Sequence, residues 1–179
     1  MSATPRALVV YESMYGNTAR IAEAICTGLR ESIQAEMIPA YRAAAEVPGD
    51  VRLLVVGGPT HAFSMSRESS RQEAKNQHEV VMPIDIGIRE WLAKLAGSPG
   101  PRDVDAATFD TRIAKVRRLP GSAARSAAKL LRRMGFRMLT SASFFVDETT
   151  GPIRDVEIER ARRWGEELGR QLTGSTTAA

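Results

Sequence analysis

Cysteine is almost missing from this chain of 179 residues. Cys26 stands alone, which excludes an intramolecular disulfide and a cysteine-rich zinc site. Two histidines, His61 and His78, supply an all-protein metal centre poorly. No run approaches the roughly 18 apolar residues of a membrane span. The apolar run at 7–11 is too short for the core of a signal peptide, and no small-residue cleavage site follows it, so the chain is expected to be cytoplasmic. Internal repeats, low-complexity tracts and linkers are also missing. One local absence matters more. From Thr111 to Arg137 there is no acidic residue but nine basic ones. The rest of the chain holds 16 basic against 21 acidic residues, so the formal net charge of +4 comes from this one segment.

What is present reads as an ordinary globular chain, 43% hydrophobic and 26% charged. A single domain over 1–179 is expected, with a frayed tail from about 173. Short apolar runs alternate with amphipathic stretches. Strands are expected at 7–11, 36–40 (weakly), 51–56, 106–109 and 138–146. Between them, Ala22, Ile25, Cys26, Leu29 and Ile33 recur at helical spacing, and further helices are expected over 88–96, after Ser122 as N-cap, and over 155–172. Residues 60–86 form the least regular stretch, a long polar loop. Alternation of strand and helix gives an α/β fold: a parallel sheet covered on both faces, whose ligands bind beyond the carboxyl ends of the strands.

The loop after the first strand, Ser13-Met14-Tyr15-Gly16-Asn17-Thr18, opens a helix. Ser13 and Thr18 offer hydroxyls, Asn17 an amide, and Gly16 a close backbone approach, beside the free N–H groups of a helix N-terminus. That chemistry suits a phosphate; an ordinary turn with Asn17 or Thr18 as N-cap suits the same composition. No Gly-Lys-Ser/Thr follows, so a Walker loop is excluded, and the dinucleotide fingerprint is absent.

Through Ser13, Gly16 and Thr18 the loop resembles the FMN phosphate loop of the flavodoxin-like family, with Tyr15 where that family often has Thr. The resemblance in element order and length covers nearly the whole chain. It implies a flavodoxin-like three-layer sandwich with five parallel strands in order 2-1-3-4-5, and FMN as cofactor. The segment Pro59-Thr60-His61-Ala62-Phe63, with Met65 beyond it, is similar to the loop of WrbA-type quinone oxidoreductases that lies against the flavin ring. By that resemblance the backbone of Thr60, His61 and Ala62 contacts the ring, and Phe63 or Met65 walls it. Asp110, Thr111 and Arg112 fall where the family touches the flavin edge or ribityl chain. No Trp or Tyr follows there, so one ring face is expected to be open.

Arg67 and Arg71 are candidate contacts for an anionic substrate. Lys115, Arg117 and Arg118 are candidate contacts for an acidic redox partner or a phosphorylated cofactor. The implied reaction passes electrons from NAD(P)H through the flavin to a quinone-like acceptor. A flavodoxin-type carrier, a protoporphyrinogen-oxidase-like protein and a flavin-free binding or scaffold protein are the alternatives, and a homo-oligomer stays open. Nucleic acid ranks last, because the basic segment holds one aromatic, Phe136, and no recognition motif.

Overall fold

The computed structural model of the protein describes residues 6–98, 100 and 103–177. Its strands are β1 (Arg6–Tyr11), β2 (Gln34–Pro39), β3 (Val51–His61), β4 (Ser64–Met65), β5 (Asp105–Ile113) and β6 (Arg137–Val146). Its helices are α1 (Asn17–Leu29), α2 (Glu68–Gln77), α3 (Ile88–Leu95), α4 (Ala123–Arg133) and α5 (Asp155–Thr177). Five strands run parallel in the order β2-β1-β3-β5-β6, and β4 is an antiparallel two-residue arm on the end of β3. With the arm set aside, this is the expected order 2-1-3-4-5.

Successive residues of a strand face opposite sides, and the apolar run of β1 therefore feeds two cores. Ala7 and Val9 join the α1 and α5 side, together with Ile21, Ile25, Phe109 and Phe144. Leu8 and Val10 join the α3 and α4 side, together with Trp91, Leu92, Ala127 and Leu131. On the first side α1 and α5 touch backbone to backbone. A Cβ on Gly28 would overlap the Arg162 carbonyl, and one on Gly165 would overlap that of Ile25.

Strand β5 runs on to Ile113, four residues past its expected end, so Asp110, Thr111 and Arg112 lie within the strand. Three further boundaries differ notably from the sequence reading. Helix α1 stops at Leu29, because the Glu31 and Ser32 amides turn back to the Gly28 and Leu29 carbonyls in a tight turn feeding β2; Ile33 still packs on the core. Helix α5 runs on to Thr177, five residues past its expected end, with the Thr173 hydroxyl donating to the Gly169 and Arg170 carbonyls. The expected frayed tail is thus helical as far as Thr177, and 178–179 lie outside the described residues. The largest difference is at 60–86, where β3 continues to His61, β4 folds back on it, and α2 follows. That helix carries no apolar stripe, since Arg71 and Ala74 are its buried residues, so periodicity gave no sign of it.

Candidate functional site

Strand β1 lies between β2 and β3, and the chain leaves β1 toward α1 on one face and β3 toward α2 and α3 on the other. This reversal opens a crevice at the carboxyl edge, the place where open parallel sheets bind ligands. A void of about 70 Å³ sits there, lined by Ser13, Met14, Tyr15, Asn17, Thr18, Pro59, Thr60, His61, Thr111, Arg112, Ile113, Val146 and Thr149. A second cavity, about 680 Å³, lies at the opposite, amino edge between Val47, Leu95, Leu130 and Phe136. It is larger, yet it holds none of the loop residues that carry chemistry.

At the head of α1 the chain turns through Gly16 at φ +93°, a left-handed conformation that glycine adopts without steric cost. A Cβ there would point into open space. The Ser13 hydroxyl accepts the Gly16 amide at 3.1 Å and is almost fully buried. Thr18 and Thr111 bring their hydroxyls within 2.7 Å, which ties the loop to β5. No side chain caps the first turn of α1, and that turn has no acidic residue.

The neighbouring helices differ. At α4, Thr60 Oγ1 accepts from the Ala123 amide, Asp110 Oδ2 from Ala124, and Ser122 Oγ from Arg125. At α3, Glu12 accepts from the Ile88 amide at 2.8 Å. Among these three helix starts, α1 alone keeps its leading N–H groups and its share of the helix dipole available to a ligand.

The segment between β3 and α3 rests on a buried polar chain. Arg71 is fully buried and donates to Ser66 Oγ at 2.7 Å and to the Ile84 carbonyl at 2.5 Å; it also pairs with Glu90 at 3.0 Å. Ser66 in turn donates to Glu12, the residue just before the phosphate-type loop. Burial pushes the Glu12 carboxyl above the ordinary carboxylate range, against the opposing pull of Ser66, the Ile88 amide and Arg71. Burial lifts Glu90 too, but the Gly87 amide and Arg71 outweigh it and hold that carboxyl below its ordinary value.

The β3–β4 hairpin carries backbone strain. Both central residues of its two-residue turn, Ala62 and Phe63, have positive φ, at 46° and 65°. Such turns favour Asn or Gly, and non-glycine residues held there cost about 1–3 kcal/mol each. The turn presents Phe63 to solvent at 51% exposure. Beneath it lies Gly121, where a Cβ would stand 2.6 Å from the Phe63 carbonyl oxygen. Arg112 fixes this second loop from inside, donating to the carbonyls of Val116 (2.8 Å), Leu119 (3.2 Å) and Gly121 (3.4 Å). Arg112 Nε and Asp110 Oδ1 are buried without a partner among the described residues.

No protein-family model and no curated protein matches the sequence. Solved structures do. A flavodoxin from the domain Archaea superposes with a TM-score of 0.64 at 19% identity, covering 94% of this chain and 99% of its own. Flavodoxin 1 from Bacillus cereus gives 0.63 at 16%, covering 91% and 96%. A Streptococcus pneumonia TIGR4 flavodoxin gives 0.65 at 14%, covering 93% and 99%. The chain has the flavodoxin-like fold.

In this flavodoxin-like fold the candidate residues part into two groups. Ser13, Met14, Tyr15, Asn17, Thr18, Pro59, Thr60, His61, Thr111 and Arg112 all border the crevice, although Gly151 packs against the Asn17 amide and the Thr60 hydroxyl caps α4; Gly16, Ala62 and Phe63 are not in its lining. The His61 ring hydrogen-bonds Ser70 at 3.1 Å, and burial, with Arg71 nearby, lowers its pKa. Its side chain therefore faces α2.

Others are corrected. Arg71 is not a substrate contact, because its guanidinium is enclosed by Ser66, Ile84 and Glu90. Met65 does not wall a ring; it is 4% exposed and belongs to the α3 and α4 core. Asp110 turns to the Ala124 amide of α4 and is not in the crevice lining. Arg67 is exposed at the start of α2, and Lys115, Arg117 and Arg118 are exposed on the loop held by Arg112. His78 lies exposed on the surface, and its ring meets Tyr15 edge-on at 5.8 Å. Sequence reasoning missed Glu12 and Glu90, whose neighbours in space lie far along the chain; a lone carboxylate ending an apolar strand was the available sign.

Proposed function

We propose that the protein is an FMN-dependent electron-transfer flavoprotein of the flavodoxin type. The open N-terminus of α1 carries this reading. It is the helix start at the crevice whose first turn no side chain caps, and it is flanked by the Ser13, Thr18 and Thr111 hydroxyls. Backbone N–H groups at a helix start hold a phosphate well, and Gly16 leaves room for one. The donor set therefore fits the phosphate of FMN.

The flavin supplies the redox chemistry, and the protein supplies binding and orientation. Thr60, His61 and Ala62 would offer backbone groups along the ring edge; Phe63, 51% exposed and outside the crevice lining, stands on the rim rather than against the ring. Arg112, whose Nε–H has no acceptor among the described residues, would offer fixed positive charge beside the ring. A carrier is favoured over an NAD(P)H:quinone reductase because Arg71, the candidate contact for an anionic substrate, is turned into the protein. The flavodoxin neighbours point the same way.

Titrating the protein into FMN while following flavin fluorescence tests the reading. Binding at micromolar FMN, abolished by Gly16→Asp, is the expected result. A chain that binds no FMN would be a flavin-free member of the fold. Steady NADPH oxidation with an added quinone would restore the reductase reading.

A further inference from the structure

We infer that the rim formed by the Phe63 turn and the loop at 114–121 is a docking surface for an acidic redox protein. The inference rests on the electron-transfer reading and names the class of partner. Three large apolar side chains stand in solvent on this rim: Phe63 (51% exposed), Leu119 (45%) and Val116 (36%). Two independent tethers bring them together. Gly121 packs under the Phe63 backbone, and Arg112 binds the carbonyls of both Val116 and Leu119. The Ala123 amide on Thr60 and the Ser64–Ser126 hydroxyl contact at 3.0 Å lock the hairpin to the start of α4.

Around these apolar residues lie Lys115, Arg117 and Arg118, all exposed, and no ion pair among the described residues engages any of them. The positive charge is therefore uncompensated as well as clustered. Exposed apolar side chains beside charges of one sign are the make-up of a protein interface, with charge setting encounter rate and partner choice. Strain points to the same place. The protein holds Ala62 and Phe63 at positive φ, and the outcome is an aromatic ring directed into water rather than into the core. Duplex nucleic acid fits less well, since the patch is capped by apolar groups rather than lined with polar ones.

Titrating an acidic two-iron ferredoxin into the isotope-labelled full chain, with and without FMN, tests this by amide NMR. Shifts or broadening should centre on 62–64 and 115–119, with affinity falling about tenfold between 20 and 200 mM salt. Basic cytochrome c should leave those signals in place. The triple variant Lys115→Glu, Arg117→Glu, Arg118→Glu should lose ferredoxin binding and gain cytochrome c binding. Its side chains hold no other residue, so an unchanged FMN affinity and circular dichroism spectrum report its folding. Arg132→Glu with Arg133→Glu, at the far end of α4, should bind ferredoxin like the parent.

Shifts centred elsewhere, or an affinity untouched by the triple reversal, overturn the inference. So does NADPH or a DNA duplex moving the same signals where ferredoxin does not. The FMN titration judges the cofactor separately: a chain that docks ferredoxin without binding FMN keeps the surface and loses the flavin reading.

Discussion

Glu12 and Arg71 are both almost wholly buried, and the Ser66 hydroxyl joins them, accepting from the guanidinium and donating to the carboxylate. Through this oxygen, and through the Val81 amide on the Met14 carbonyl, the segment between β3 and α3 is fastened to the end of β1 and the loop that would hold phosphate. Arg71 also satisfies Glu90, so two carboxylates depend on it.

Arg71→Met should therefore destabilise strongly. The methionine fills the space but leaves the Ile84 carbonyl without its side-chain donor and Glu90 with the Gly87 amide in place of its ion pair. Removing one member of a buried pair costs about 3–5 kcal/mol. At about 2–4 °C per kcal/mol for a domain of this size, the melting temperature should fall by at least about 6 °C. A drop under 2 °C in calorimetry would mean the network contributes little.

Glu12 gives a pH dependence whose sign follows from its raised pKa. Its stabilising contribution is complete below the ordinary glutamate value and is lost as pH climbs through the raised one. The stability of the parent relative to Glu12→Gln should thus decline from pH 4 toward neutrality. Urea unfolding of both proteins at several pH values measures that difference; a rising difference would show that the Ser66, Ile88 and Arg71 contacts outweigh burial.

Ala62→Gly should stabilise the protein. Glycine occupies the left-handed region freely, so the change relieves about 1 kcal/mol of strain without removing a packed side chain, since Ala62 is exposed. The melting point should rise by about 2–4 °C. No rise would place the strain elsewhere in the hairpin.

Arg112→Lys should free the loop at 114–121. A lysine ammonium cannot reach three carbonyls in the spread that the planar guanidinium spans. Limited trypsin digestion should then cut after Arg117 or Arg118 several times faster than in the parent. An equal cutting rate would show that Gly121 and Phe63 hold the loop unaided.

The sequence made much of this legible, and for unequal reasons. The apolar runs of β1 and β3 and the Ser122 cap of α4 are local signals, and the strand order follows once their alternation is seen. The loop from Ser13 to Thr18 was found because its chemistry lies in consecutive residues. Helix α2 was not, because it is anchored by one buried arginine instead of an apolar stripe. Arg71 was misread for the same reason: an isolated charge in a polar stretch looks exposed, and its partners Ser66, Ile84 and Glu90 become neighbours only on folding.

The glycines between α1 and α5 give the phosphate-type loop a remote control point. With Gly28 and Gly165 each seated on the other helix's carbonyl, α1 has no slack along or across α5. Twelve residues of helix separate Gly28 from Gly16, about 18 Å at 1.5 Å per residue. A rod of that length passes a shove at one end to the other. Any methyl group added at Gly165, on a different helix and far from the crevice, would press on the helix whose first amides are proposed to hold phosphate.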